Sequence, residues 1–285
     1  MMEKVKQRES DMKKELIVVR GGGDLATGTI YKLKKCGYRI LVLETEKPSA
    51  IRRNVALSEA VYEGSWQVED VLARLAGNME EAELIMDEGN VAVLIDPQCR
   101  CLEKCKPFAL VDGILAKKNL GTNRRMAPIT IALGPGFTAG DDVDAVIETM
   151  RGHRLGRVIL DGEAIPNTGI PGAVAGITKE RVIHAPEEGI LRNVRHITDS
   201  VTKGETIAYI ETKEGKVEIK ATISGILRGL IRDGYQVTKG FKIADIDPRK
   251  EEYENCFLIS DKARCIAGGV LEAILYLKNK KDSQE

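Results

Sequence analysis

Residues 182–210, VIHAPEEGILRNVRHITDSVTKGETIAYI, can be laid on residues 218–246, EIKATISGILRGLIRDGYQVTKGFKIADI, at a constant offset of 36 without a gap. The copies share Gly189 to Arg192 with Gly225 to Arg228, Val201 to Gly204 with Val237 to Gly240, and the spaced pairs Ile183/Ile219, Ala185/Ala221, Ile207/Ile243, Ala208/Ala244 and Ile210/Ile246. Two copies make a pair, not a solenoid. Each reads as short strands divided by glycine turns and is too small to bury its apolar face alone, so the halves must interlock into one small all-β sandwich.

Between the copies runs IETKEGK, a hairpin. Hairpin and repeat together resemble the barrel-sandwich hybrid of lipoyl and biotinyl carrier domains. That resemblance implies a modified lysine three residues after a glutamate and eleven before the glycine of the second half. Counted from Glu211 and back from Gly225, that position is Glu214, and Lys213 lies one residue before it. A one-residue slip changes the face from which a side chain leaves, so neither lipoate nor biotin is expected. His184 and His196, within the repeat, read as structural or exposed.

The N-terminal half has a different grammar. ELIVVRGGGDLATGTIYKLKKCGYRILVLE gives a β-branched run, a break at Gly21, Gly22 and Gly23, helical spacing, and a second strand. This is one βαβ unit. Gly21, Gly23 and Ala26 fit G-x-G-x-x-[GA], and Glu44 stands about 20 residues on, where a dinucleotide site keeps its ribose-binding acid. Gly23 and Gly28-Thr29 also echo a P-loop, but no lysine precedes the threonine to reach phosphate. Asp24 complicates the dinucleotide reading, because a carboxylate at the helix mouth competes for the N–H groups that would hold pyrophosphate. A tight strand-to-helix turn with no ligand is the plainer alternative.

ETEKPSAIRRNVALSEAVYEG predicts a helix capped by Ser49, with Ile51, Val55 and Ala60 on one face. Arg52 and Arg53 in its first turns oppose the helix dipole, which an anion would relieve; surface pairs with Glu44, Glu46 or Glu59 would relieve it equally. IALGPGFTAGDDVDAVIETM repeats strand, glycine turn at Gly134 and Gly136, and helix. Its acidic start argues against a second phosphate site, although the turn should face the same end of a parallel sheet as the first. His153, among Arg151, Arg154 and Arg157, is a candidate acid, base or anion ligand, or else part of a solvated helix end. DGEAIPNTGIPGAVAGI reads as a linker or ordered loop. Near the end, ISDKARCIAGGVLEAILYLKN predicts a helix capped at Ser260 or Asp261 that returns to pack on the N-terminal sheet.

Lys plus Arg and Asp plus Glu each number 43 in 285 residues, so no net field draws the chain to nucleic acid or an anionic membrane. Apolar runs are strand-sized, and the first dozen residues are charged rather than signal-like. A cytoplasmic protein is expected, with a disordered tail at 1–12 and Met12 as an alternative start. Six cysteines in that setting imply thiols. Cys99, Cys101 and Cys105 lack a fourth nearby ligand, so no metal site is assigned and a loop thiol cluster, open to oxidation, is the default.

The combination of RGGGDLATG, ETEKPSAIRR, GPGFTAGDDVDAVIETMRGHRLGRVI, NTGIPG, DIDPR and SDKA, from Lys13 to about Leu277, resembles the accessory proteins of the selenium-dependent molybdenum hydroxylase system of anaerobic bacteria. The resemblance implies a role in maturing, or supplying cofactor to, a molybdenum hydroxylase, which would be the client. It carries no catalytic residues over. The expected fold is therefore α/β: a Rossmann-like parallel sheet at 13–179, the lipoyl/biotinyl-like barrel-sandwich hybrid at 180–248, and a C-terminal helix within 249–285. The expected site comprises Gly21, Gly22, Gly23, Asp24, Glu44, Arg52, Arg53, Gly134 and Gly136 for a nucleotide-type cofactor, NAD(P) or molybdopterin cytosine dinucleotide, with Asp24 and His153 as candidate acid or base. Alternatives are an NAD(P)-dependent oxidoreductase and a non-catalytic adaptor; self-association stays open.

Overall fold

The computed structural model describes residues 15–169, 172, 174–249 and 251–283. The expected tail at 1–12 and the alternative start at Met12 lie outside them. The chain forms two compact units. The larger runs through Pro48, Ala56–Asn167 and from Ile259 onward; the smaller takes Ser49–Val55 and Thr168–Leu258.

Chain order in the larger unit begins with β1 (Leu16–Arg20), α1 (Asp24–Lys35) and β2 (Arg39–Glu44), then α2 (Ala60–Glu63), β3 (Ser65–Val68) and β4 (Val71–Ala76). It continues with α3 (Met79–Asp87), β5 (Val91–Ile95), α4 (Leu102–Cys105), β6 (Ala109–Asp112) and β7 (Ile129–Leu133). β8 (Thr138–Ala139), β9 (Ala145–Ile147), β10 (Val158–Ile159) and β11 (Gly162–Glu163) follow. Nine of these strands make one sheet in the order β10-β9-β7-β6-β1-β2-β5-β4-β3. Its seven inner strands are parallel, and β3 and β10 close the edges antiparallel. Every residue of β1 and β7 is buried, which suits apolar runs lying between two covered faces.

This architecture corrects the expected Rossmann-like parallel sheet: the sheet is mixed, and it lacks a crossover helix where the pattern demands one. The segment expected as a helix after Gly136 is instead β9, buried in the sheet beside β7. Asp144 explains the choice, because its carboxylate accepts from both the Thr130 N–H and hydroxyl at 2.9 Å, tying the segment to β7. The expected helix from Ser49 is also absent. Ser49–Val55 belongs to the smaller unit, where the Ile51 carbonyl accepts from the Leu230 N–H at 2.9 Å, leaving only short 3-10 turns and α2 beyond it.

The last element, α5 (Asp261–Asp282), is capped by Ser260, whose hydroxyl accepts from the Ala263 N–H at 3.2 Å. It packs along α1, where a Cβ on Gly28 would stand only 2.8 Å from the Ala263 carbonyl oxygen. That closeness is why a glycine sits inside a helix despite its propensity cost.

The smaller unit holds β12 (Val182–His184), β13 (Gly189–Asn193), β14 (Ser200–Val201), β15 (Thr206–Thr212), β16 (Gly215–Lys220), β17 (Gly225–Leu230), β18 (Gln236–Val237) and β19 (Lys242–Asp247). In place of the expected lipoyl/biotinyl-like hybrid, these form two separate four-stranded antiparallel sheets, β12-β19-β17-β14 and β16-β15-β13-β18. The 36-residue repeat maps β13, β14 and β15 onto β17, β18 and β19. Each copy lends its short strand to the other's sheet, since β14 pairs with β17 and β18 with β13. Leu191, Ile210, Leu227 and Ile246, repeat partners or neighbours, are fully buried in the shared core. The hairpin from Thr212 to Gly215 puts Lys213 and Glu214 in its two-residue turn. No helix among the described residues is long and apolar enough to cross a membrane.

Candidate functional site

At the carboxyl end of β1 the glycine turn is held by the chain's own groups. Gly21, at φ 88°, donates its N–H to the Leu43 carbonyl at 2.8 Å, and Gly22 donates to Glu44 Oε1 at 2.6 Å. The Gly22 carbonyl accepts from the Ser58 N–H at 2.9 Å and from the Thr27 hydroxyl at 3.0 Å. Glu44 Oε2 takes the Thr45 N–H at 2.9 Å. Burial to 8% exposure pushes the Glu44 carboxyl above its usual range, opposed by those two N–H groups. Gly23 precedes α1, whose first turn carries Asp24 and lacks a side-chain cap.

The other expected site residues are dispersed. Arg52 Nη2 donates to the carbonyls of Asn255 and Leu258 at 3.1 and 3.2 Å, and Arg53 Nε to that of Leu230 at 2.8 Å, all within the smaller unit. Gly134 and Gly136, at φ 75° and 106°, follow β7, and a Cβ on Gly136 would lie 2.6 Å from the Lys118 nitrogen. His153 is exposed in a turn, beside Arg151, which is paired with Asp261 at 3.0 Å. The structure thus brings Gly21, Gly22, Gly23, Asp24 and Glu44 together at one sheet end. Gly134 and Gly136 follow β7 at the same carboxyl edge, two strands from β1, as expected, and His153 lies elsewhere in the same unit.

Two features at that sheet end escaped the motifs. The first is Arg20, the last residue of β1 and 4% exposed. Its guanidinium pairs with Asp112 at the end of β6 (3.3 Å), donates to the Thr122 hydroxyl, and reaches the Pro97 carbonyl at 3.2 Å. Asp112 in turn accepts from Thr122 at 2.5 Å and from the Ile114 N–H at 3.1 Å. A buried cation of this kind persists only because its donors are met.

The second is a cleft of about 510 Å³ at the carboxyl ends of β2 and β5, lined by Thr45, Glu46 and Lys47 on one side and Asp96, Gln98 and Arg100 on the other. The two strands pair in parallel through Glu44 and Ile95, and the Asp96 N–H donates to the Glu44 carbonyl at 3.1 Å, so both lips share one backbone frame. Asp96-Pro97 turns the chain immediately. The Asp96 carbonyl accepts from the Cys99 N–H at 3.1 Å, Cys99 adopts φ 57°, and Asp96 Oδ2 takes the Cys101 N–H at 2.8 Å. Burial would raise the Asp96 carboxyl, but the Cys101 and Arg100 N–H groups and the Arg100 charge hold it below the usual carboxylate range. The available signal was Asp-Pro directly after a buried strand, a turn initiator, followed by an arginine between two cysteines. Among the described residues, no group of three or more His, Cys, Asp or Glu side chains is gathered as for a metal ion.

No protein-family model matches the chain. It is 50% identical over 266 residues to the uncharacterized protein YqeB of Escherichia coli (strain K12), an alignment covering 93% of this chain and 48% of that protein. The chain therefore spans about half the length of the curated relative it matches. Among solved structures it is similar to the apo ectoine utilization protein EutE (DoeB) of Ruegeria pomeroyi, at 12% identity and TM-score 0.25 over 82% of this chain and 86% of that one. It is also similar to a succinylglutamate desuccinylase/aspartoacylase of Rhodobacter sphaeroides, at 11% and 0.25 over 81% and 85%. A third is TcdA (CsdL), at 10% and 0.34 over 98% and 92%. At these scores neither the fold nor the activity of those proteins carries over.

None of the proteins named above is described as an accessory protein of a selenium-dependent molybdenum hydroxylase, and the expected resemblance is corrected accordingly. With it go the maturation role, the nucleotide-bearing cofactor on a Rossmann turn, and the alternatives of an NAD(P)-dependent oxidoreductase and an adaptor.

Proposed function

We propose that the larger unit binds a small anionic metabolite in the cleft between Thr45–Lys47 and Asp96–Arg100. The observation that carries this reading is the cleft itself, at the carboxyl ends of two adjacent parallel strands, with Lys47 and Arg100 on opposite lips. Open sheets with parallel strands take ligands at that end, and a volume of this order suits a small molecule. Four ionised side chains line the cleft, two of each sign. Asp96 is already held by backbone N–H groups, so on its lip the charge that faces a ligand is the Arg100 guanidinium. A guanidinium on one lip and an ammonium on the other favour a molecule with two anionic groups, or one bidentate carboxylate or phosphate.

Isothermal titration of the full chain with citrate, inorganic phosphate and glutamate tests the reading. Citrate is expected to bind, Arg100→Ala to weaken it by about tenfold, or ~1.4 kcal/mol, and added salt to weaken it further because the lips are exposed. Equal affinity in wild type and Arg100→Ala, or no binding of the three anions, would overturn it.

A further inference from the structure

We propose that Cys101 and Cys105 are a dithiol exchange site, with Cys105 attacking small-molecule disulfides and Cys101 resolving the product into an intramolecular disulfide. This site goes beyond anion binding in the cleft and does not depend on it.

The two cysteines occupy one turn. Cys101 is the N-cap of α4, and the Cys105 N–H donates to the Cys101 carbonyl at 3.0 Å. Four residues apart in helical backbone, their side chains leave the same side of that turn. All three clustered cysteines join one apolar group, but they differ in access: Cys99 and Cys101 are buried, while Cys105 is partly exposed. An incoming disulfide therefore meets Cys105 first.

The electrostatics run in the same direction. The neighbouring Cys101 thiol lowers the Cys105 thiol below its ordinary value, while Cys105 and burial together raise Cys101. Burial pushes the Cys99 thiol up to about 11, so it stays protonated and does not compete. A Cys105 thiol that ionises more readily, beside a Cys101 that holds its proton longer, is the arrangement that an attacking and a resolving thiol require.

The chemistry balances with a low-molecular-weight disulfide, RSSR, as oxidant. Cys105 thiolate attacks one sulfur, the S–S bond breaks, and RS⁻ leaves, giving a mixed disulfide on Cys105. Cys101 then gives up its proton, attacks the Cys105 sulfur, and expels the second RS⁻. Counting the proton that Cys105 gives to solvent on ionising, the protein loses two electrons and two protons, and the two RS⁻ take up those protons as two RSH. Side chains four apart on a helix have Cβ atoms roughly 5–6 Å apart, whereas a relaxed disulfide wants about 3.5–4.5 Å. Closure must tighten a four-residue helix, so the product is strained and readily reduced, as exchange demands.

Trypsin separates the three thiols. Cleavage after Arg74, Arg100, Lys104 and Lys117, with Lys106 protected by Pro107, puts Cys99 in 75–100, Cys101 in 101–104 and Cys105 in 105–117. Reduced full chain would be incubated with glutathione disulfide, acid-quenched, alkylated, digested and mapped by mass. The expected product is 101–104 joined to 105–117 with loss of two hydrogens, and Cys99 alkylated. Cys101→Ser should trap glutathione on Cys105, and Cys105→Ser should leave Cys101 alkylated. Alkylation of both Cys101 and Cys105 in the treated wild type, a bond to Cys99, or a lasting glutathione adduct on wild-type Cys105 would each overturn the proposal. The wild-type map needs no variant to fold.

Discussion

Gly22 and Gly23 are neighbours with opposite tolerance for a side chain. A Cβ on Gly22 would stand 2.9 Å from the Ser58 backbone nitrogen, whereas one on Gly23 meets nothing within 4 Å. Gly22→Ala is expected to cost about 1–3 kcal/mol, read as a lower urea midpoint at unchanged slope. Gly23→Ser, at an extended N-cap position, should leave the midpoint in place or raise it by up to ~1 kcal/mol, because a hydroxyl would cap α1. Arg20→Leu would strand Asp112, 1% exposed, without its cation and is expected to cost about 3–5 kcal/mol by the same measurement. The glycines were legible as a motif, but their partners were not. Glu44 stands at the spacing of a ribose-binding acid and spends both oxygens on backbone N–H groups. Arg20 gave no signal at all, since nothing local tells a strand-end arginine whether an aspartate 92 residues away will meet it.

Among the elements, α1 and α5 depend on one close approach. Gly28→Leu is expected to part them at Ala263 and to cost about 3 kcal/mol, with amides of α5 losing exchange protection before those of β1. α1 was legible because its apolar spacing and glycine break are local. β9 was not, because DAVIETM serves a helix or a buried strand equally well, and the side chain that decides, Asp144, bonds across to Thr130. In β19, Asp247 is buried, which would raise its carboxyl, but the Arg249 hydrogen bonds and the Arg228 charge hold it below the ordinary range. A depressed folded-state value means that stability is fully present above about pH 4 and is lost as pH falls further, toward the folded value. Thermal midpoints of the smaller unit should drop over that acid window, and Asp247→Asn should flatten the drop while lowering stability at neutral pH.

For the whole molecule, the 36-residue repeat and the strand-glycine-helix opening told apart a sheet-rich second unit and an α/β first one. They could not show that Ser49–Val55 leaves the first unit for the second. The motif combination suggested a family role that the fold and the comparisons correct, and the cleft lay outside every motif, at a turn built by Asp96. The central claim is that a small anion sits in that cleft rather than on the glycine turn. Amide hydrogen exchange of the full chain with and without citrate separates the two. Slowed exchange at 45–47 and 96–101 is the expected result, with 21–26 unchanged; slowing confined to 21–26, or none at 45–47 and 96–101, would contradict the account.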